Sequence, residues 1–446
     1  MRFIFVLIMM FVTMGSARAQ EHWFGSTTLE DIQTRPRVSL VFASQDEVHP
    51  LSYFGHTFLV FHREPLPEID APIVEFLGQT EGIDGWAWKA LVTSIPGRYQ
   101  LQRFLYKARA YELENRDLWI YTFSQTDSER EALIRNLEEA LSTAYPYQFT
   151  SKNCGAYIEA LLPMAPSKSL FTLPMNSVQN PEFTARVTKV QVVLAQRTQG
   201  RLTQDPADLL RYQFAREADP DKRQAIFAQL KNTPGTLQQV KTDDPARFSG
   251  RRRLGVQWVS PTEQHLLLAP YAQDFYTAGA EVPAGSVLRI LQGDIAMDSD
   301  GLRWDALDLF HLEAMTAKDA WSDSHVRHLE FAYQRALPMN RKPGWLLRWG
   351  TGYAWAPWKG FLLGVKGLLD LNISESIQND LGARLYLEHK INSRLRLSWE
   401  YHQSVLPQLD FWSQTTARVS YTLASRWILE ADGNRSHQRA GLILNF

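Results

Sequence analysis

Leu395-Arg396-Leu397-Ser398-Trp399-Glu400-Tyr401 alternates apolar and polar residues, and the same beat runs through Leu381-Gly382-Ala383-Arg384-Leu385-Tyr386-Leu387-Glu388 and Arg418-Val419-Ser420-Tyr421-Thr422-Leu423. Period two is the signature of a strand with two unlike faces. Polar turns separate the runs, at Asn392-Ser393 and at Asp432-Gly433-Asn434. The chain ends in the same rhythm, on Ala440, Leu442, Leu444 and Phe446. The pattern begins after Arg251-Arg252-Arg253, so residues 251–446 are expected to form an all-β antiparallel domain.

Backbone in lipid must satisfy its own hydrogen bonds, so strands cross a bilayer only as a closed barrel. Such a wall needs apolar residues toward lipid and accepts polar ones toward the lumen, in segments of about ten residues. Trp345, Trp349, Trp355, Trp358, Trp399, Trp412 and Trp427 suit interfacial girdles. The arginines fall on the polar face of each strand. An outer-membrane barrel of roughly 10–12 strands is therefore expected from the length of this region. A soluble antiparallel sandwich with one wet face would show the same alternation, and residues 255–340 keep the beat less regularly. The final aromatic residue on an amphipathic last strand resembles the signal by which bacterial outer-membrane proteins are recognised for assembly. It implies the barrel-assembly machinery and outer-membrane lipid as partners.

At the other end, Arg2 precedes the apolar run Phe3 to Val12, and Ala17-Arg18-Ala19 offers small residues at the positions a signal peptidase reads. Residues 1–19 read as a secretory signal peptide. An uncleaved anchor is the alternative, but a spanning helix needs about 20 apolar residues. Lys and Arg number 47 against 48 Asp and Glu, so no electrostatic case exists for nucleic acid. The 446 residues hold one cysteine, Cys154, which cannot form an internal disulfide. In an exported protein a lone thiol is either a nucleophile or a buried, inert residue.

Up to about residue 165 short strands mix with helices. Val38–Ala43, Phe58–Phe61, Pro72–Gly78 and Asp117–Phe123 are rich in β-formers. Thr126 and Glu129 form a capping box ahead of Leu133, Leu137 and Leu141, which marks a helix. A second helix starts at about Cys154 and stops before Pro163. Residues 166–250, polar and interrupted by prolines, read as a helical connector.

A helix N-terminus and a nearby imidazole both lower a thiol pKa. Cys154 follows the loop Ser151-Lys152-Asn153 and opens the helix; Gly155 leaves room for a substrate, and the Cys154 amide suits a developing oxyanion. His56, after Gly55 and at the start of a strand, is the expected base; His62 shares its face and competes. Glu75 on the next strand is the expected third group that orients the imidazole, with Asp70 and His62 behind it. Trp86, Trp88 and Leu91 are candidates for an apolar wall. The histidines are scattered without paired ligand spacing and no Gly-rich phosphate loop occurs, so neither metal nor cofactor is expected.

Ser52-Tyr53-Phe54-Gly55-His56-Thr57-Phe58-Leu59, then Asn115-Arg116-Asp117-Leu118-Trp119, then Phe149 to Leu162 around Asn153-Cys154 resemble the Lnb-type periplasmic domain, the N-terminal domain of a class of bacterial lipoprotein N-acyltransferases. The order of histidine and Asn-Cys is also similar to the circularly permuted papain-like group that includes lecithin:retinol acyltransferase. The resemblance covers about residues 35–165 and implies an α+β papain-like (permuted) domain there, with Cys154 as nucleophile and His56 as base. The family often carries asparagine where this chain has Glu75. The acyltransferases have a helical membrane part, so their substrate does not carry over. The expectation is a thiol acyl enzyme, an acyltransferase or phospholipase-like hydrolase, acting on lipid or lipoprotein. A cysteine amidase or peptidase on cell-wall or periplasmic peptides, or a non-catalytic barrel with a binding domain, are the alternatives. The chain is expected in the outer membrane with its N-terminal domain in the periplasm.

Overall fold

The computed structural model describes residues 27–44, 55–68, 70–80, 89–90, 93–113, 116–166 and 174–193, parts of 210–240, and 253–445 with gaps between strands. Residues 1–19, Ser52 to Phe54, Asn115, Trp86, Trp88, Leu91, Trp358, Trp412 and Phe446 lie outside them. The chain divides into two compact units, the second running from Phe248 to Phe446. No helix among the described residues is long and apolar enough to cross a membrane.

In the first unit the elements run α1 (Leu29–Gln33), β1 (Arg37–Ala43), β2 (His56–His62), β3 (Pro72–Gly78), β4 (Ile95–Arg103), α2 (Phe104–Leu113), β5 (Leu118–Phe123), α3 (Asp127–Leu141), β6 (Tyr145–Tyr147) and α4 (Cys154–Leu161). They continue with α5 (Pro174–Gln179), α6 (Pro181–Arg186), β7 (Val187–Val193), α7 (Pro220–Lys231) and β8 (Gln239–Val240). The strands make one sheet in the order β6-β4-β3-β2-β1-β5-β7-β8. β7 pairs with β5, so the sheet reaches past residue 165 into the stretch read as a connector.

Both faces of the central strands are covered, which is why they read as nearly continuous apolar runs. Leu40, Phe42, Leu59, Phe61, Trp119 and Tyr121 pack under Leu133 and Leu137 of α3 and Ile158 and Leu161 of α4. On the opposite face Val41, Phe58, Val60 and Ile120 meet Phe104, Ala108 and Tyr111 of α2. Each such side chain stabilises the fold by roughly 1.5–3 kcal/mol. Thr126 caps α3 with Glu129 in the expected capping box. The result is an α+β domain, a sheet between helices.

The second unit holds β9 (Arg253–Ser260), β10 (Glu263–Ala269), β11 (Tyr271–Asp274), β12 (Val287–Asp298), β13 (Gly301–Thr316), β14 (His325–Gln334), β15 (Gly344–Trp355), β16 (Phe361–Ile373), β17 (Ile377–Lys390), β18 (Leu395–Ser404), β19 (Ser413–Ala424), β20 (Trp427–Gly433) and β21 (Gln438–Asn445). Each pairs antiparallel with its neighbour. β10 and β11 both line the same partner, β12, and are separated by Pro270, which has no N–H for the ladder. They act as one interrupted strand. β21 closes on β9, giving a closed barrel of 12 strands.

Its polarity decides between membrane and water. Leu254, Trp258, Trp304, Trp355, Leu385, Leu429 and other large apolar residues are exposed on the outside. His265, Glu313, His328, Glu330, Arg348, Lys366, Asp370, Arg384 and Arg396 are buried within. A soluble sandwich buries its apolar face; this barrel is inverted, as a lipid-facing wall requires.

Candidate active site

The site grows from two local devices. Asn153 is the N-cap of α4: its Oδ1 accepts from the Ala156 amide at 3.2 Å, while its Nδ2 donates to the Phe149 carbonyl at 2.8 Å. That fixes the loop before Cys154 and places the thiol in the first turn, whose amides the helix itself does not use. The second device is Gly55, at φ +80°. A Cβ there would come 2.7 Å from Phe42 Cε2 and 2.8 Å from the Ala43 carbonyl, so only glycine lets the chain enter β2 beside β1 and deliver His56 at its first position.

Cys154 and His56 meet at this strand end. The Cys154 sulfur interacts with the imidazole and with the Thr57 and Gly155 amides. Burial alone would push the thiol pKa up; the charge and hydrogen bond of His56 and the two amides outweigh it and hold it below the ordinary value. For His56 burial lowers the pKa, but the thiolate and Glu75 overcome it and raise the imidazole above its usual 6.5. The two directions agree: each group favours the charged form of the other.

His56 Nε2 donates to Glu75 Oε2 at 3.1 Å, which leaves Nδ1 for the thiol. The imidazole stacks on Phe58 and lies tilted against Tyr111, with ring centroids 5.9 and 6.5 Å away. Glu75 is fully buried on β3, opposite Phe58. Burial would raise its pKa, yet Lys107 and His56 reverse this and keep it low. Lys107 Nζ stands 2.6 Å from the same Oε2, from the first turn of α2. Sequence reasoning did not find Lys107. The segment 104–113 shows weak amphipathic patterning, and nothing local marks a cation destined for a carboxylate two elements earlier.

The structure thus brings Cys154, His56 and Glu75 together and places the competitors elsewhere. Ser39 Oγ lies 2.8 Å from His62 Nε2 and the Glu64 carbonyl 2.7 Å from its Nδ1, a fully buried arrangement at the far end of β2. Asp70 faces Arg35 at 3.8 Å. Beside the thiol, Phe76, Tyr99, Tyr145, Tyr147 and Tyr157 form an aromatic cluster, with Phe76 and Tyr157 stacked at 3.9 Å. Proximity of the thiolate adds to burial in raising the Tyr147 phenol well above 10.

Residues 25–182 match the model of the Lnb N-terminal periplasmic domain family. No curated protein matches the chain. The barrel is similar to solved outer-membrane proteins: KdgM porin (7% identity, TM-score 0.28, 44% of this chain and 98% of that one) and an outer membrane channel from Pseudomonas putida F1 (12%, 0.29, 46% and 100%). The Acinetobacter baumannii outer membrane protein Omp33 is a third (10%, 0.25, 45% and 99%). With the inverted polarity of the barrel, the chain is an outer-membrane protein whose first unit is a periplasmic domain similar to that of Lnb.

Proposed function

We propose, for a chain joining an Lnb-like periplasmic domain to an outer-membrane barrel, that the first unit is a thiol acyl enzyme acting on lipid or lipoprotein. The observation that carries this reading is the buried pair of Cys154 and His56, with opposed pKa shifts, at the N-terminus of α4. The Cys154 thiolate attacks an ester carbonyl of a phospholipid, and the Cys154 amide suits the oxyanion. As the tetrahedral species collapses, the carbon–oxygen bond breaks and His56 gives its proton to the leaving alcohol. A thioester remains. An amine or water, deprotonated by His56, then takes the acyl group and restores the thiolate. Glu75 keeps the imidazole oriented through Nε2.

The lipid assignment rests on location. An outer-membrane anchor keeps the domain where phospholipid is abundant and ester carbonyls are the common electrophile. The test is mass spectrometry of the purified full chain after incubation with phospholipid vesicles. An acyl adduct on Cys154, absent in His56→Ala, is expected. An adduct formed instead with peptidoglycan stem peptides would replace this reading by a cysteine amidase or peptidase.

A further inference from the structure

Inside the barrel, four consecutive strands bring a second set of titratable groups together. His311 and Glu313 come from β13, His328 and Glu330 from β14, Arg348 from β15, and Lys366 and Asp370 from β16. The register sets His311 opposite Glu330 and Glu313 opposite His328. Gly350 faces His328 and Gly352 faces Lys366. These two glycines leave a lane through which Lys366 crosses β15 to pair with Glu313.

The charges in this cluster do not balance. Glu313 has Lys366, and Asp370 takes Arg348 in a two-pronged bridge of 2.7 and 2.7 Å. The neighbouring Asp308 has Arg289 at 4.0 Å. Glu330 shares Arg348, at 3.1 Å, accepts from Gln334 at 3.3 Å, and among the described residues has no cation to itself beyond the imidazole of His328. Two cations therefore serve three buried carboxylates.

The lone pairs do not balance either. His328 Nδ1 lies 3.1 Å from Glu313 Oε2, and in the tautomer whose Nδ1 donates to that carboxylate, Nε2 is left with a lone pair. That nitrogen faces Glu330 Oε2, another acceptor, at 3.4 Å. His311 Nε2 is buried, makes no hydrogen bond, and lies 3.8 Å from Glu313 Oε2. One ligand atom from each of His311, His328 and Glu330 falls within 4.8 Å of the others. In that tautomer three acceptors converge in a buried place, which favours a positive charge between them; in the other, Nε2 donates to Glu330 and Nδ1 accepts from Lys366 at 3.4 Å, but Nδ1 then faces the Glu313 carboxylate as a second acceptor. A proton on His328 is one solution, but it would create an imidazolium 3.4 Å from the Lys366 ammonium. A divalent ion is the other. Ligand atoms around a tetrahedral ion at about 2.0–2.1 Å stand roughly 3.3–3.4 Å apart, close to the His328–Glu330 spacing.

We propose that His311, His328 and Glu330 bind a divalent transition-metal ion of the zinc class. Two imidazoles and one carboxylate suit that class over magnesium or calcium. Glu313 would be the outer carboxylate that fixes the His328 tautomer, with Lys366 neutralising it. Bound metal would link β13 to β14. The other histidine–acid cluster lacks these features: His265 uses both nitrogens, on Asp294 at 2.7 Å and Glu263 at 3.2 Å, and Arg303 and Arg439 serve those acids.

The experiment titrates the folded full chain in detergent with Co(II), whose visible absorption reports tetrahedral nitrogen and oxygen ligands. One equivalent, displaced by Zn(II), is expected. His311→Gln removes the band, and Glu313→Gln weakens binding by about 10–100-fold. His265→Gln binds as the parent does. Heat-modifiable gel mobility confirms a closed barrel in each variant before titration. No saturable band in the folded parent overturns the proposal and assigns the gap to a proton on His328; so does an unchanged affinity in folded His311→Gln. Neither outcome bears on Cys154.

Discussion

Lys107→Met isolates what a buried ammonium does for the thiol it never touches. In the parent, Glu75 Oε2 holds both Lys107 Nζ at 2.6 Å and His56 Nε2 at 3.1 Å, so the two cations are at most about 6 Å apart. At an effective dielectric of about 20, the carboxylate favours the imidazolium by roughly 5 kcal/mol and the ammonium opposes it by roughly 3. The net of roughly 2 kcal/mol favours the imidazolium and, through it, the thiolate. Without Lys107 the sign depends on Glu75. While Glu75 stays ionised, the imidazolium is held at least as well as before. Burial now raises the Glu75 pKa with no ammonium to oppose it. Once Glu75 protonates, the imidazolium loses its counter-charge and the thiolate loses its partner. Iodoacetamide labelling of Cys154 in Lys107→Met should thus keep its rate near pH 8 and fall on the acid side, with its acid limb displaced upward by about one unit. Lys107→Arg should restore the parent profile. An acid limb in Lys107→Met that overlays the parent would refute the reasoning and reduce Lys107 to packing.

Gly55→Ala forces a Cβ against Phe42 and Ala43 at a positive φ, and should lower stability by about 1–3 kcal/mol and slow labelling of Cys154; chemical denaturation and the labelling rate both read it. Asp117 is pushed up to about 7 by burial. Its folded form holds the proton more tightly than the unfolded one, so stability falls as pH rises from about 4 to 7. Asp117→Asn should therefore stabilise the fold by up to about 4 kcal/mol at pH 8 and change little at pH 4, a shift read by urea denaturation at the two pH values. On the barrel, Leu385 is exposed on the outer wall, so Leu385→Arg should cost up to about 2–4 kcal/mol in folding into bilayers, whereas Leu385→Phe should be tolerated.

How much of this was legible depends on how far each signal reaches along the chain. Thr126 with Glu129, and Asn153 before a helix, act within one turn, and the α3 cap reads directly from spacing. Alternation in β17 to β19 is equally local, and there the period survives intact. Residues 255–340 kept the beat poorly for a physical reason. Register shifts between Asp294 and Ile295 and between Asp308 and Phe310 add single residues, and Leu291 sits at φ 58°. Each shift turns the next stretch to the opposite face, so a fixed period cannot follow it. His56 and His62 share a face of β2, so periodicity could not separate them. What does is non-local: Ser39 on β1 takes one ring and Glu75 on β3 takes the other. Lys107 and the His311–His328–Glu330 group depend on strand order and register, which no single window of sequence contains.

The central claim is that His56 activates Cys154. Iodoacetamide labelling of the folded, detergent-extracted chain across pH tests it most directly, run beside His56→Ala. The account predicts rapid alkylation well below the free-thiol pKa of about 8.5, with the dependence moving upward in His56→Ala. A thiol that reacts only after unfolding, or a profile that His56→Ala leaves in place, would contradict it.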